Sequence, residues 1–296
     1  MEKAAQVSLF FEDDIAEGPA RNRLALFEDC ASAIDQLFQQ ALAERGLIAF
    51  DEFLAFMCRF NSLSLYNAML VRVQRPGASA VGSRRQWADV GRYVKPDAVP
   101  IVVLQPFGPV RFVFEVGDTE GAELPGERQS ALLADGEVGK ELYERTKQAA
   151  AKYGVEVVET DQYGTLLAGT AAAIRQLPEA LQANTKGTWR YRVRVNAKHD
   201  LPTRFATLAH ELGHVYCGHL GGDSKGRWPA RQGLSYEQQE LEAEAVAWLV
   251  CQRTGVSPRS KEYLATLAAR EHIEAVSLYA IFEAANRVES RTQPSP

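Results

Sequence analysis

Residues 207–214 read T-L-A-H-E-L-G-H, which places an H-E-x-x-H motif inside a run with helical character. In a helix, residues four apart lie on one face, so His210 and His214 present two imidazoles to one metal ion. Glu211 lies beside them and is the natural proton acceptor of such a site. The motif is typical of zinc hydrolases. Catalytic zinc needs a third protein ligand and leaves its fourth position to water.

Several residues downstream of the motif have side chains that could supply the third ligand. They are His219, Asp223, Glu237, Glu240, Glu242 and Glu244. Glu240 and Glu244 are four apart on a predicted helix that is acidic on one side and apolar on the other, so they share a face. We predict that Glu240 ligates the metal and that Glu244 accepts the free N–H of a ligating histidine.

His219 competes with Glu240 for the third position. The pattern H-E-x-x-H-x-x-G-x-x-H would require Gly at position 217 and His at position 220. This chain has Cys217 and His219 instead, so the register differs by one residue. A His-His-Glu site is therefore favoured.

Such a site predicts hydrolysis of a peptide bond. The metal would polarise a water molecule and lower its pKa to about 7. Glu211 would take the proton of that water as general base and pass it to the leaving amine. Strand 190–196 alternates apolar and basic residues and is predicted to pair with an extended substrate. The residue that stabilises the oxyanion stays open among Tyr236, Arg231, His219 and His199.

The chain of 296 residues is long enough for two domains, at about 150 residues per domain. We predict an α+β fold in which a small N-terminal α+β domain precedes a zincin-like domain, whose active-site helix packs on a short β-sheet. The predicted segments are a flexible tail at 1–20, the first domain at 21–120, a linker at 121–138, the second domain at 139–288 and a disordered tail at 289–296.

Composition and charge indicate an ordinary globular protein with a net charge of −5. The sequence shows neither a signal-type apolar region near its start nor an apolar run of membrane-spanning length, so we expect a cytoplasmic location and no membrane partner. The four cysteines are far apart in sequence and are expected to be buried, reduced thiols.

One segment departs from this acidic balance. Between Arg59 and Lys95 there are seven basic residues and a single acid, with aromatic residues interleaved. This composition fits either a solvated basic face or a surface that contacts the phosphates and bases of single-stranded DNA. The candidate DNA-binding residues are Arg72, Arg75, Arg84, Arg85, Trp87, Arg92, Tyr93 and Lys95.

The string A-H-E-L-G-H at 209–214, followed by E-L-E-A-E-A-V-A from Glu240, resembles the ImmA/IrrE family of bacterial zinc metallopeptidases. The second motif of that family usually reads like E-x-E-A-N-x-F-A, and its first Glu falls on Glu240. Glu244 stands where the family often has Asn. The resemblance implies a zinc ion, a protein substrate and, as the substrate class, transcriptional repressors.

The N-terminal half resembles ArdC-like antirestriction proteins of mobile elements. The resemblance rests on S-L-Y-N-A-M-L at 64–70, Q-R-P at 74–76, Q-W at 86–87, G-R-Y-V-K at 91–95 and F-E-V-G-D-T-E at 114–120. It implies a domain that binds single-stranded DNA in front of a zincin-like domain. Two functions follow: an endopeptidase whose first domain recruits it to DNA, or an antirestriction protein in which the zinc domain is structural or non-catalytic.

Overall fold

The computed structural model describes residues 32, 35–36, 50–60, 62–105, 108–122, 139–161, 168–174, 190–256 and 276–289. The predicted tail at 1–20, the predicted tail at 289–296 apart from Glu289, and nearly all of the predicted linker at 121–138 lie outside these ranges. The first described helices are α1 (Phe50–Cys58) and α2 (Leu65–Gln74). Ser64 caps α2 by accepting a hydrogen bond from the backbone N–H of Asn67.

Small β-sheets follow the first two helices. Their elements are β1 (Val81–Gly82), α3 (Arg84–Asp89), β2 (Arg92–Val94), β3 (Ile101–Gln105), β4 (Gly108–Glu115) and β5 (Thr119–Gly121). The strands pair in the orders β1-β4-β3 and β2-β5. Strands β3 and β4 pair antiparallel as a hairpin.

The elements after residue 139 form the layer that holds the H-E-x-x-H motif. They are α4 (Lys140–Lys152), β6 (Val155–Thr160), β7 (Gly169–Ala173), β8 (Tyr191–Asn196), α5 (Leu201–Tyr216), α6 (Tyr236–Arg253) and α7 (Leu278–Glu289). The sheet order is β6-β8-β7, with β6 parallel and β7 antiparallel to β8. The α+β class with a helix on a short sheet is confirmed.

The middle position of β8 overturns one expectation. Strand 190–196 was predicted to pair with an extended substrate, but both of its edges already form backbone hydrogen bonds, with β6 on one side and β7 on the other. That prediction is wrong because an alternating pattern shows which face of a strand is buried and not whether an edge is open.

Helix α5 begins at a strong capping signal and packs closely on α6. Asp200 accepts a hydrogen bond from the backbone N–H of Thr203, and Pro202 lies in the first turn. A Cβ on Gly213 would lie 3.0 Å from the Cα of Ala243, so glycine permits the close approach of the two helices. The approach brings the H-E-x-x-H motif against the acidic part of α6.

The first two helices share an apolar core with the helices of the C-terminal half. Tyr66 on α2 donates its hydroxyl to Glu283 on α7, and its ring lies edge-on to Phe282. Arg253, near the end of α6, pairs with Glu289 and also donates to a backbone carbonyl at Leu63. The helical layer is therefore continuous from α1 to α7.

Three of the four cysteines fall within the described ranges. Cys58, Cys217 and Cys251 are buried free thiols. Burial raises the pKa of Cys217 well above its usual value, which keeps that thiol protonated. Among the described helices, none has the length and apolar character needed to span a membrane.

Candidate metal centre

The structure brings His210, His214 and Glu240 together at the contact between α5 and α6. The two histidine Nε2 atoms are 3.2 Å apart, and the Glu240 carboxylate oxygens lie 3.6 Å from His210 Nε2 and 3.4 Å from His214 Nε2. A tetrahedral ion with bonds of about 2.0–2.1 Å to nitrogen and oxygen separates its ligands by about 3.3–3.4 Å. Two imidazole nitrogens and one carboxylate, which reaches His210 through Oε2 and His214 through Oε1, therefore meet at a spacing close to that of the ligands of a zinc-sized ion.

Glu244 and Glu211 occupy different positions around this triangle. The Glu244 carboxylate lies 3.0 Å from Nδ1 of His210, on the side of the ring that faces away from the other donors. That contact leaves Nε2 of His210 free to bind a cation. Glu211 is buried, with 8% of its surface exposed.

Carboxylates dominate the electrostatics of the centre. Burial alone would lower the pKa of His210, but hydrogen bonds to Glu240 and Glu244 outweigh it and raise that pKa to about 10. Burial would raise the pKa of Glu240, yet the two histidines hold it well below its usual range. Burial raises the pKa of Glu211 to about 7. The raised pKa of His210 and the lowered pKa of Glu240 both indicate that the position between these side chains favours a positive charge.

Of the four candidates for stabilising an oxyanion, Arg231 and His219 both contact Glu242. Arg231 binds the Glu242 carboxylate through both of its terminal nitrogens, and His219 is 4% exposed with Nε2 at 3.0 Å from the same carboxylate. Tyr236 is 69% exposed and stands one helical turn before Glu240. His199 is half-buried in the turn between β8 and α5.

Strand β7 begins directly at the centre. A Cβ on Gly169 would lie 3.2 Å from Oε1 of Glu211 and 2.5 Å from Cγ2 of Thr207, so only glycine fits there. Within the described residues β7 pairs on one side only, with β8. Sequence reasoning missed Gly169 because no side chain in the run G-T-L-L-A-G at 164–169 is typical of a catalytic or metal-binding residue. The need for glycine at this position comes from the close approach of its backbone to α5.

Most of the predicted DNA-binding residues make contacts within the protein. Arg75 pairs with Asp118, Lys95 donates to the Gly117 carbonyl, and Arg92 donates to Thr119 and to the Ala122 carbonyl. Arg72 donates to the carbonyl of Pro76 and stacks on Phe56. Trp87 is buried, and its indole N–H donates to the carbonyl of Phe114. These side chains hold the small sheets together.

Arg84, Arg85 and Tyr93 are exposed. Arg84 and Arg85 line a groove of about 590 Å³ together with Arg111 and the exposed ring of Phe112. Arg111 was missed from the sequence, although it is the basic residue of the alternating strand R-F-V-F. No acidic side chain is among the described residues that line the groove.

Comparisons with known proteins add the following findings. Two solved structures are of the antirestriction ArdC protein from the R388 plasmid. The metal-free structure is 16% identical, with 90% of this chain and 97% of that chain covered and a TM-score of 0.39. The Mn(II)-bound structure is 15% identical, with 84% and 100% covered and a TM-score of 0.35. A comparison with curated proteins finds no match.

The family comparison agrees with the resemblance read from the motifs at 209–214 and 240–247. Residues 143–270 match the model of the IrrE N-terminal-like domain, peptidase family M78, and the match spans β6 to α6, including every residue of the metal centre. Residues 143–270 are thus similar to an IrrE N-terminal-like domain, the domain of a family of metallopeptidases.

Proposed function

We propose that the protein is a zinc-dependent endopeptidase that cleaves a peptide bond in a protein substrate. The observation that carries the proposal is the donor triangle: the Nε2 atoms of His210 and His214 are 3.2 Å apart, and the two oxygens of the Glu240 carboxylate lie 3.6 and 3.4 Å from them. These distances are close to the ligand spacing of a tetrahedral ion. Zinc is favoured over harder cations because two of the three donors are imidazole nitrogens.

Each residue around the triangle has a distinct part in the proposed reaction. A zinc ion held by the three side chains would supply Lewis-acid activation of water and of the scissile carbonyl. Glu211 follows a ligand in the helix and accepts the proton of the attacking water, then delivers it to the leaving amine. Glu244 orients His210 through the 3.0 Å contact to Nδ1. Tyr236 is the candidate with an exposed hydroxyl for donating to the oxyanion.

The substrate is proposed to bind as an extended strand along β7. This strand starts beside Glu211 and within the described residues has a single partner strand. Main-chain hydrogen bonds from its open edge would align a peptide, as in other β-augmentation complexes. Ala171–Ala173 have small side chains, which leaves room for the side chains of the peptide.

Glu211→Gln tests the proposal because it removes the base and keeps the shape of the side chain. The zinc-loaded protein is incubated with a library of unfolded polypeptides, and new amino termini are identified by mass spectrometry. We expect cleavage by the wild type and at least about a 100-fold loss in the variant, with zinc still bound. The control is Glu237→Gln, an exposed carboxylate on α6. His210→Ala should lose the zinc itself, as measured by elemental analysis.

An antirestriction function with a non-catalytic zinc domain is the competing proposal. It predicts that Glu211→Gln retains whatever protection of DNA the wild type gives. Retention of that protection, together with no cleavage by the wild type, would contradict the endopeptidase proposal.

We also propose that the N-terminal groove binds single-stranded DNA. The supporting observation is the set of three arginines and an exposed phenylalanine ring around one concavity, since phosphates pair with guanidinium groups and bases stack on rings. Arg84 already lies 4.8 Å above the ring of Phe114, which holds its guanidinium in place.

Titration of labelled single strands at two salt concentrations tests this second proposal. The triple replacement of Arg84, Arg85 and Arg111 by Ala should weaken binding and make it less dependent on salt, with each lost phosphate contact lowering the slope by about 0.7. Lys152→Ala, an exposed lysine on α4, is the matched control. Equal binding by the triple variant and the control would refute the assignment.

A further inference from the structure

A buried polar chain runs behind His214, away from the face that the donor triangle occupies. Nδ1 of His214 lies 3.0 Å from Nδ1 of His219, and Nε2 of His219 lies 3.0 Å from Oε2 of Glu242. The side chains of His219 and Glu242 are both fully shielded from solvent. His214 therefore has a partner behind it, as His210 has in Glu244, but the carboxylate is reached through a second imidazole.

At the far end of this buried polar chain, hydrogen-bond donors keep the Glu242 carboxylate negatively charged. Arg231 donates to both carboxylate oxygens, at 2.5 and 2.7 Å, and the backbone N–H of Ser277 donates to Oε1 at 2.8 Å. A buried carboxylate with three such donors is ionised and acts only as an acceptor. His219 must therefore carry its proton on Nε2.

The proton on Nε2 of His219 determines which nitrogen of His214 is protonated. With its proton on Nε2, His219 offers Nδ1 as an acceptor, so the hydrogen bond between the two rings requires His214 to donate from its own Nδ1. Nε2 of His214 is then unprotonated, and it is the atom that faces His210 and Glu240. The reverse arrangement would put a proton on the atom that must bind the metal.

We propose that His219, Glu242 and Arg231 are positioning residues that lock His214 in its metal-binding tautomer. This inference rests on the proposed zinc site, since it assigns a role toward that ion. It also gives a role to the loop between α5 and α6, because Arg231 lies in that loop and donates to the Cys217 carbonyl as well as to Glu242.

Another role for the same cluster is a second metal site, since Cys217, His219 and Glu242 have donor atoms near one another. The contacts favour the positioning role. Both oxygens of Glu242 are held by Arg231, and the Cys217 thiol points to the carbonyl of Ala280 at 3.7 Å. A guanidinium group bound in this way opposes a second cation.

The tautomer itself can be measured without any variant. Long-range nitrogen–proton correlation NMR on the metal-free full-length protein distinguishes a proton on Nδ1 from one on Nε2. We expect Nδ1–H for His214 and Nε2–H for His219. The opposite assignment at either ring would overturn the proposal, whether or not the protein cleaves peptides.

Zinc affinity measured by competition with a chromogenic chelator provides a second readout. His219→Leu should raise the zinc Kd by about 10–100-fold, and His219→Gln, which keeps an acceptor and a donor, should recover part of that loss. Glu242→Gln should fall in the same range, and the control Glu237→Gln should leave the Kd unchanged. An unchanged Kd in His219→Leu would refute the proposal, as would a wild-type stoichiometry of two zinc ions that falls to one in that variant.

Discussion

Replacing Gly169 by alanine tests whether the start of β7 is fixed against the metal helix. The added methyl group would lie 2.5 Å from Cγ2 of Thr207 and 2.8 Å from the carbonyl oxygen of Arg194. Ordinary contact begins at 3.4 Å, so β7 must move by about 0.6–0.9 Å away from its neighbours. One of the two obstacles is backbone of the central strand, which does not yield by a rotamer change.

The expected cost has a structural and a functional part. Overpacking of this kind destabilises by about 1–3 kcal/mol, and the backbone obstacle places Gly169→Ala at the upper end. A displacement near 1 Å beside Glu211 should lower kcat/KM by about 100-fold. Urea denaturation followed by circular dichroism measures the first quantity, and hydrolysis of a peptide found in the library screen measures the second.

Two further variants show whether the reasoning holds. Thr207→Ser removes Cγ2, so in a double-mutant cycle it should return about 1 kcal/mol of the loss caused by Gly169→Ala. Gly77→Ala, which meets nothing within 4 Å, is the control. A Gly169→Ala protein with wild-type stability and rate would refute the close contact between β7 and α5.

Further predictions concern single side chains. Burial would raise the pKa of Asp223, but Arg227 outweighs it and holds that pKa below its usual value. Asp223→Asn should therefore lower Tm at pH 7. In calorimetry the difference from wild type should shrink as the pH falls below about 4, where the carboxylate of the unfolded chain protonates, and it should vanish once the pH has also passed the lower pKa of the folded state. Arg253→Ala should cost about 3–5 kcal/mol in urea denaturation, since it leaves the buried Glu289 without its partner. Tyr236→Phe should lower kcat by about 100-fold without changing Tm, because the hydroxyl is exposed; an unchanged kcat would remove it as the oxyanion donor.

Local spacing was enough to predict the elements that hold the donor triangle. The four-residue interval between His210 and His214 fixes their common face, and the same interval relates Glu240 to Glu244 on the next helix. In the structure these four side chains lie close together, and both helices begin at side-chain caps, on Asp200 and Ser235.

Contacts that depend on tertiary packing could not be predicted in the same way. His219 shows no helical interval to its partner Glu242, since a loop separates them and only the fold of that loop brings them to 3.0 Å. The contacts of the basic segment could not be predicted for a related reason, because composition does not show which arginines pair with the protein itself. Arg75 and Arg92 bind β5 and the turn before it, whereas Arg111, further along the chain, lines the groove.

The apolar core shared by the first two helices and the last one has a consequence for work with pieces of the protein. A fragment starting at residue 139 would leave the faces of α6 and α7 that contact α1 and α2 exposed to water, and it should aggregate when expressed alone. Co-expression with residues 1–122 should restore a soluble complex, because the covered surface supplies the driving force for association. The two fragments are therefore suited to a reconstitution assay in which the recovery of zinc binding measures their association.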